Sequence, residues 1–141
     1  MVGRNRRFAL ADTAQQLVGG FLLAGPFVVT EEVWTLAAHM TVVHVLVTIA
    51  IVAAIGYGAL YKADHGRDPD DEAEVGGVPL RFVSLMAVSF GSVLVLTLAF
   101  AAPGTFLSGT TLFTRAAVTA KAVSVGAIFS VVGAATADSV F

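Results

Sequence analysis

The chain has 141 residues, 57% of them hydrophobic and 13% charged, with no cysteine and a formal net charge of −2. Soluble domains hold roughly 45–50% apolar residues, so a mean hydropathy of +0.86 excludes an ordinary soluble globule and predicts an integral membrane protein. The absence of thiols excludes disulfides and thiolate metal sites, and the slight negative charge offers nothing to nucleic acid.

A bilayer core takes about 20 mainly apolar residues per helix, and four stretches qualify, at about 8–31, 40–61, 81–102 and 111–135. The first follows Arg4, Arg6 and Arg7. That charged start with an apolar run at Leu17–Val29 has the outline of a signal peptide, but no small-residue cleavage site follows it, so a retained helix is expected. At 100° per residue, Asp12, Gln15, Gln16, Gly19, Leu23, Pro26 and Thr30 fall within about 60° of one line. This stripe of polar and small residues suits either the lining of an ion path or close contact with neighbouring helices. Pro26 removes a backbone donor and Gly25 eases a bend, so a kink or gate with freed carbonyls is expected there.

Next come Glu31 and Glu32, at the border of the apolar segment and just before Trp34, which reads as an interfacial anchor. Two adjacent carboxylates repel, so the pair suits cation capture or proton uptake; solvated capping is the plainer alternative. His39 and His44 follow at the start of the second helix. They stand about 140° apart around it, which does not make the same-face pair of a tight zinc site, and a pH-sensitive contact with the glutamates is the better expectation.

The loop over 62–80 holds six of the ten acidic residues, bounded by Gly76, Gly77 and Pro79, and reads as a solvated connector rather than a calcium loop. The third helix is free of charge beyond Arg81. The fourth carries Lys121 near mid-membrane, where an ammonium group needs a partner; Asp12 and Asp138 towards one end and Glu31 and Glu32 towards the other are the acids on offer. Ala122, Gly126, Ser130 and Ala134 form a ridge of small residues suited to packing, and Arg115 is expected to pair with Glu31 or Glu32. Arg4, Arg6, Arg7, Lys62, Arg67 and Arg81 lie on one side against Arg115 on the other, which predicts both termini in the cytoplasm. Similar starts (Arg7-Phe8, Arg81-Phe82) and similar stretches from Val47 and Val118 suggest two parallel two-helix repeats.

The stretches "ALADTAQQLVGGFLLAGPFVVTEEVW", "VPLRFVSLMAVSFGS" and "KAVSVGAIFSVVGAATADSVF" resemble a family of small prokaryotic four-helix integral membrane proteins of unknown function, over essentially the whole chain. The resemblance implies a membrane fold and no activity. The first helix alone, with its basic start, its Gly19-Gly20 middle and its acidic outer mouth, is similar to the pore helix of store-operated calcium channels, from which Lys121 and Pro26 depart.

The expectation is therefore an all-α, four-span protein of the cell membrane, contacting lipid and forming a homo-oligomer, that passes a small cation or proton as a channel or small transporter. Glu31 and Glu32 would hold the cation at the mouth, Asp12, Gln15, Gln16 and Thr30 would line the path, and Lys121 would gate it. The alternative is a membrane sensor or partner-binding subunit that passes nothing. No nucleophile, phosphate-loop or metal pattern supports an enzyme, and no cofactor is expected.

Overall fold

A computed structural model of the chain describes residues 10–62 and 74–140. The N-terminal arginines and most of the acidic loop lie outside the described residues. Six helices run through the described part: α1 (Leu10–Val28), α2 (Glu31–Ala38), α3 (Val42–Tyr57, continued by a π-helical turn over Gly58–Lys62), α4 (Leu80–Ala99), α5 (Ala102–Phe106) and α6 (Leu112–Val140). A small hairpin, β1 (Glu74–Val75) with β2 (Val78–Pro79), precedes α4. Gly76 and Gly77 both take positive φ in its turn, at 60° and 85°, the backbone that a two-residue hairpin loop demands and glycine supplies without strain.

Long helices are what a bilayer permits, because no water is present in the hydrocarbon to satisfy an open backbone. Among the described residues three segments are long and apolar enough to cross on their own, Val42–Tyr61, Leu80–Ala99 and Leu112–Asp138, and α1 with α2 makes a fourth candidate bent by 81°. The fold is all-helical with three to four apolar spans, as the composition predicts.

α1, α4 and α6 pack on one another and form the interior, with α6 as the central element that also touches α2 and α3. α3 leans on α6 and makes slighter contact with α4, and its half nearest α2 exposes Val42, Val43, Leu46 and Val47. The packing is not that of two like halves: α4 and α6 lie along each other, whereas α1 and α3 barely touch. Similar stretches of sequence thus meet different neighbours.

Small residues set the spacing. The expected ridge of Ala122, Gly126, Ser130 and Ala134 is buried along its whole length, with Gly126 against Val93. On α1, Gly19 lies directly on the Gly133 backbone of α6, where a Cβ on either glycine would collide with the other's carbonyl. Such contact between backbones is how helices associate where lipid offers no hydrophobic drive.

The elbow between α1 and α2 differs from the expected kink. α1 continues through Pro26 to Val28, and the chain turns only afterwards. Trp34 explains the position: buried to 2% exposure, its Nε1–H donates to the Val28 carbonyl at 2.9 Å, and its ring stacks on Phe106 of α5 with centroids 5.8 Å apart. It is an internal tie between α1, α2 and α5 and not an anchor in the headgroups.

A buried Asp–Arg–Asp network at one end of the bundle

The start of α1, the start of α4 and the end of α6 meet at one end of the bundle. Arg81, in the first turn of α4, is 4% exposed. One guanidinium nitrogen donates to Asp138 Oδ1 at 2.8 Å and the other pairs with Asp12 Oδ2 at 3.2 Å. The Asp138 side chain is wholly buried and that of Asp12 is about one-fifth exposed. Asp138 Oδ2 accepts a further bond from Gln16 Nε2 at 3.2 Å, and Gln16 Oε1 accepts from Ser84 Oγ at 2.7 Å, with Thr13 Oγ1 at 3.2 Å from the same hydroxyl.

Helical spacing brings these groups together. Asp12 and Gln16 are four apart on α1, and Arg81 and Ser84 three apart on α4, so each pair shares a face. Asp138 arrives from the far end of α6 because α6 runs antiparallel to both. A planar guanidinium suits the task, since its fixed fork reaches two carboxylates at once without rearrangement.

From this end a polar seam continues inward. Ser92 and Ser130 face each other across α4 and α6 at 3.4 Å, while their neighbour Gly20 on α1 has no side chain to spare: a Cβ there would meet the two hydroxyls at 2.9 Å or closer. Ser89 and Ser92 both donate back to their own helix, to the Leu85 and Val88 carbonyls. Beyond the serines the interior turns apolar, with Ala24, Val28, Val93 and Val123 closing it and Phe27 stacked on Phe129 at 3.7 Å.

The residues expected to form one path are divided by this arrangement. Asp12 and Gln16 enter the network. Gln15 does not, and its Oε1 is buried without a partner among the described residues. The stripe on α1 holds only over its first half, because the buried face runs through Gln16, Gly20, Ala24 and Val28 in steps of four, where small residues let α4 and α6 close in. Leu23, Pro26 and Thr30 turn outward, and the Thr30 hydroxyl donates to the Phe27 carbonyl. Gly25 is half-buried, near Leu96.

Glu31 and Glu32 form the exposed first turn of α2, where carboxylates favour the positive end of the helix dipole. With Thr35, Leu36 and His39 they line an open hollow. His39 ends the helix, its Nδ1 at 2.9 Å from the Thr35 carbonyl. His44 caps α3, its Nδ1 accepting from the Thr41 N–H at 3.0 Å while Thr41 Oγ1 accepts from the His44 N–H. Neither histidine reaches a glutamate, and among the described residues no three His, Asp or Glu side chains converge on a common point for a metal.

Lys121 is half-buried in α6 without an ion pair or hydrogen bond among the described residues. It stands 17 residues, or about 26 Å along the helix axis, from Asp138, so the network's acids are out of its reach. Arg115 does not pair with Glu31 or Glu32 either: it faces a groove shared with α3 and α4, whereas α2 packs on α6 through Val118 and Ala122.

Sequence reasoning weighed Asp138 only as a partner for Lys121 and Arg81 only for orientation, and it passed over Ser84. The signal was present, since Asp12 and Arg81 lie within three residues of the starts of their helices and Asp138 within three of the end of its own, which an antiparallel α6 brings to one end of the bundle. No curated protein and no solved structure matches the chain. Residues 3–138 match the family model described as "Putative integral membrane protein (DUF2391)", and with nearly the whole length covered, the chain belongs to that family of integral membrane proteins.

Proposed function

We propose that the protein passes protons, or a small dehydrated cation, across the cell membrane as a homo-oligomeric channel or small transporter, with the Asp12–Arg81–Asp138 network as its inner site. The observation that carries this reading is the network itself: two carboxylates and a guanidinium on three different helices, extended by Gln16, Ser84 and the serine pair Ser92 and Ser130 towards the middle of the bundle. Ionisable groups inside a membrane protein are costly, and helix packing alone is achieved more cheaply by the glycine contacts already present. Protons are favoured over hydrated ions because the Gly19–Gly133 contact leaves no bore between α1 and α6, whereas a proton needs only a chain of hydroxyls, carboxylates and water. Glu31 and Glu32, exposed at the opposite end, would concentrate cations at the mouth, and Lys121 would act as a fixed positive charge between the two.

The second reading is a partner-binding subunit that passes nothing. The apolar layer of Ala24, Val28, Val93 and Val123 favours it, since it closes the polar seam from the far end. In that case the network clamps three helices and has no transport role.

Flux into liposomes holding the purified full chain separates the two. With a proton-sensitive dye inside and imposed proton, sodium and potassium gradients in turn, the parent should show proton entry, and Asp138→Asn should lower it by roughly tenfold or more while helix content is retained. Glu31→Gln should have a smaller effect that fades at high salt, where surface charge is screened. A well-folded parent with no flux under any gradient would eliminate transport and leave the clamp.

A further inference from the structure

The groove between α3, α4 and α6 is chemically unlike the rest of the surface. It has a volume of 560 Å³ and is walled by Ile49, Leu94, Leu98 and Val123, with Arg115 and Thr119 among the few polar groups in it. Arg115 Nε and Thr119 Oγ1 are buried there and have no hydrogen-bond partner among the described residues. Buried donors without partners cost free energy that an arriving acceptor would return.

The axial order matches one kind of molecule. Arg115 lies in the first turn of α6, at the start of the apolar segment Leu112–Asp138, and Thr119 one turn further in; past them α6 presents Ala120 and Val123 before Ser124. From Arg115 to Ser124 the groove follows α6 for about 14 Å, close to the ~15 Å thickness of one leaflet's hydrocarbon. A cationic head at the interface above an apolar trough one leaflet deep is complementary to a phospholipid, in charge and in length. The geometry points to a resident phospholipid of the leaflet at the α2 and α5 end, its phosphate taken by Arg115 and Thr119 and one acyl chain lying between α3 and α4. A guanidinium fork matches phosphate oxygens with two parallel bonds. Among the described residues no carboxylate lines the groove to compete, so a headgroup of net negative charge binds more tightly than a zwitterionic one.

Native mass spectrometry of the full chain in a nonionic detergent tests this, with dioleoyl phosphatidylglycerol and dioleoylglycerol, which lacks the phosphate, titrated separately. One phosphatidylglycerol should be retained per chain, with dioleoylglycerol at least tenfold weaker. Arg115→Gln should weaken phosphatidylglycerol by roughly tenfold and leave dioleoylglycerol unchanged. Ala120→Trp, which fills the groove from its exposed wall, should weaken both. Thr119→Val keeps the charge and the helix, and should cost phosphatidylglycerol alone a few-fold even should Arg115→Gln fail to fold. Equal retention of the two lipids, or phosphatidylglycerol affinity untouched by both polar substitutions, would overturn the assignment. So would a parent that runs as a dimer and is split by Ala120→Trp, because the groove would then belong to a second copy.

Discussion

Two side-chain positions decide whether the interior can form. At Gly133 the α6 backbone rests on Gly19 of α1, and any Cβ has to displace a carbonyl and not the tip of a flexible side chain. Gly133→Ala adds a single methyl, yet should destabilise the bundle by about 2 kcal/mol or more, at the upper end of overpacking costs. Unfolding in a graded sodium dodecyl sulfate series, followed by loss of helix, measures it; Gly104→Ala, where nothing lies within 4 Å, is the control that should shift little. At Arg81 the cost is electrostatic. Arg81→Met takes the guanidinium from Asp12 and from the wholly buried Asp138, and breaking a buried pair by removing one partner costs about 3–5 kcal/mol. Asp138→Asn keeps its shape and its bond to Gln16 within reach, so it should cost less, and the double variant should be more stable than the sum of the single losses predicts. A cycle that is strictly additive would mean that the two groups do not act as a pair.

Among the elements, the α1–α2 elbow shows what sequence pattern conveys and what it withholds. Helix lengths were legible because bilayer thickness forces them: α3, α4 and α6 lie close to the expected stretches. The end of α1 was not, because it is set by Trp34, six residues further on, reaching back to the Val28 carbonyl. Proline marked a weak point, but a tertiary hydrogen bond chose the break. The network divides in the same way. Asp12 and Gln16 were visible as a polar face, whereas Arg81 reads identically in sequence whether it extends to the headgroups or turns inward, and only the packing of α6 against α4 decides. Trp34→Phe should keep the stack on Phe106 and lose one hydrogen bond, costing about 1 kcal/mol; Trp34→Ala should cost about 3–5 kcal/mol. Hydrogen exchange of the backbone over residues 29–41 should quicken in both, while exchange in α4 stays as in the parent. Equal loss of protection in α4 would mean that the elbow is not a separate unit.

For the whole molecule, the network bears on the number of membrane crossings. α1 has 19 residues, about 28 Å of helix, and qualifies as a span only together with α2, so its length alone leaves it between a crossing and a re-entrant segment. The ion pairs favour a crossing: Asp12 pairs with Arg81, which sets the start of α1 beside the start of α4, while α2 packs beside α5 and the first turns of α6 at the other end. A segment entering and leaving by one face cannot satisfy both contacts. The absence of cysteine makes the consequence measurable with single substitutions at exposed positions, Leu10→Cys, Thr35→Cys and Val78→Cys, and a membrane-impermeant maleimide applied to intact and then permeabilised cells. Leu10→Cys and Val78→Cys should behave alike and Thr35→Cys oppositely. The excess of Lys and Arg around the α1 and α4 starts predicts that Thr35→Cys is the one labelled in intact cells. Labelling of Leu10→Cys together with Thr35→Cys would make α1 re-entrant, and the Asp12–Arg81 pair could not then form across the membrane.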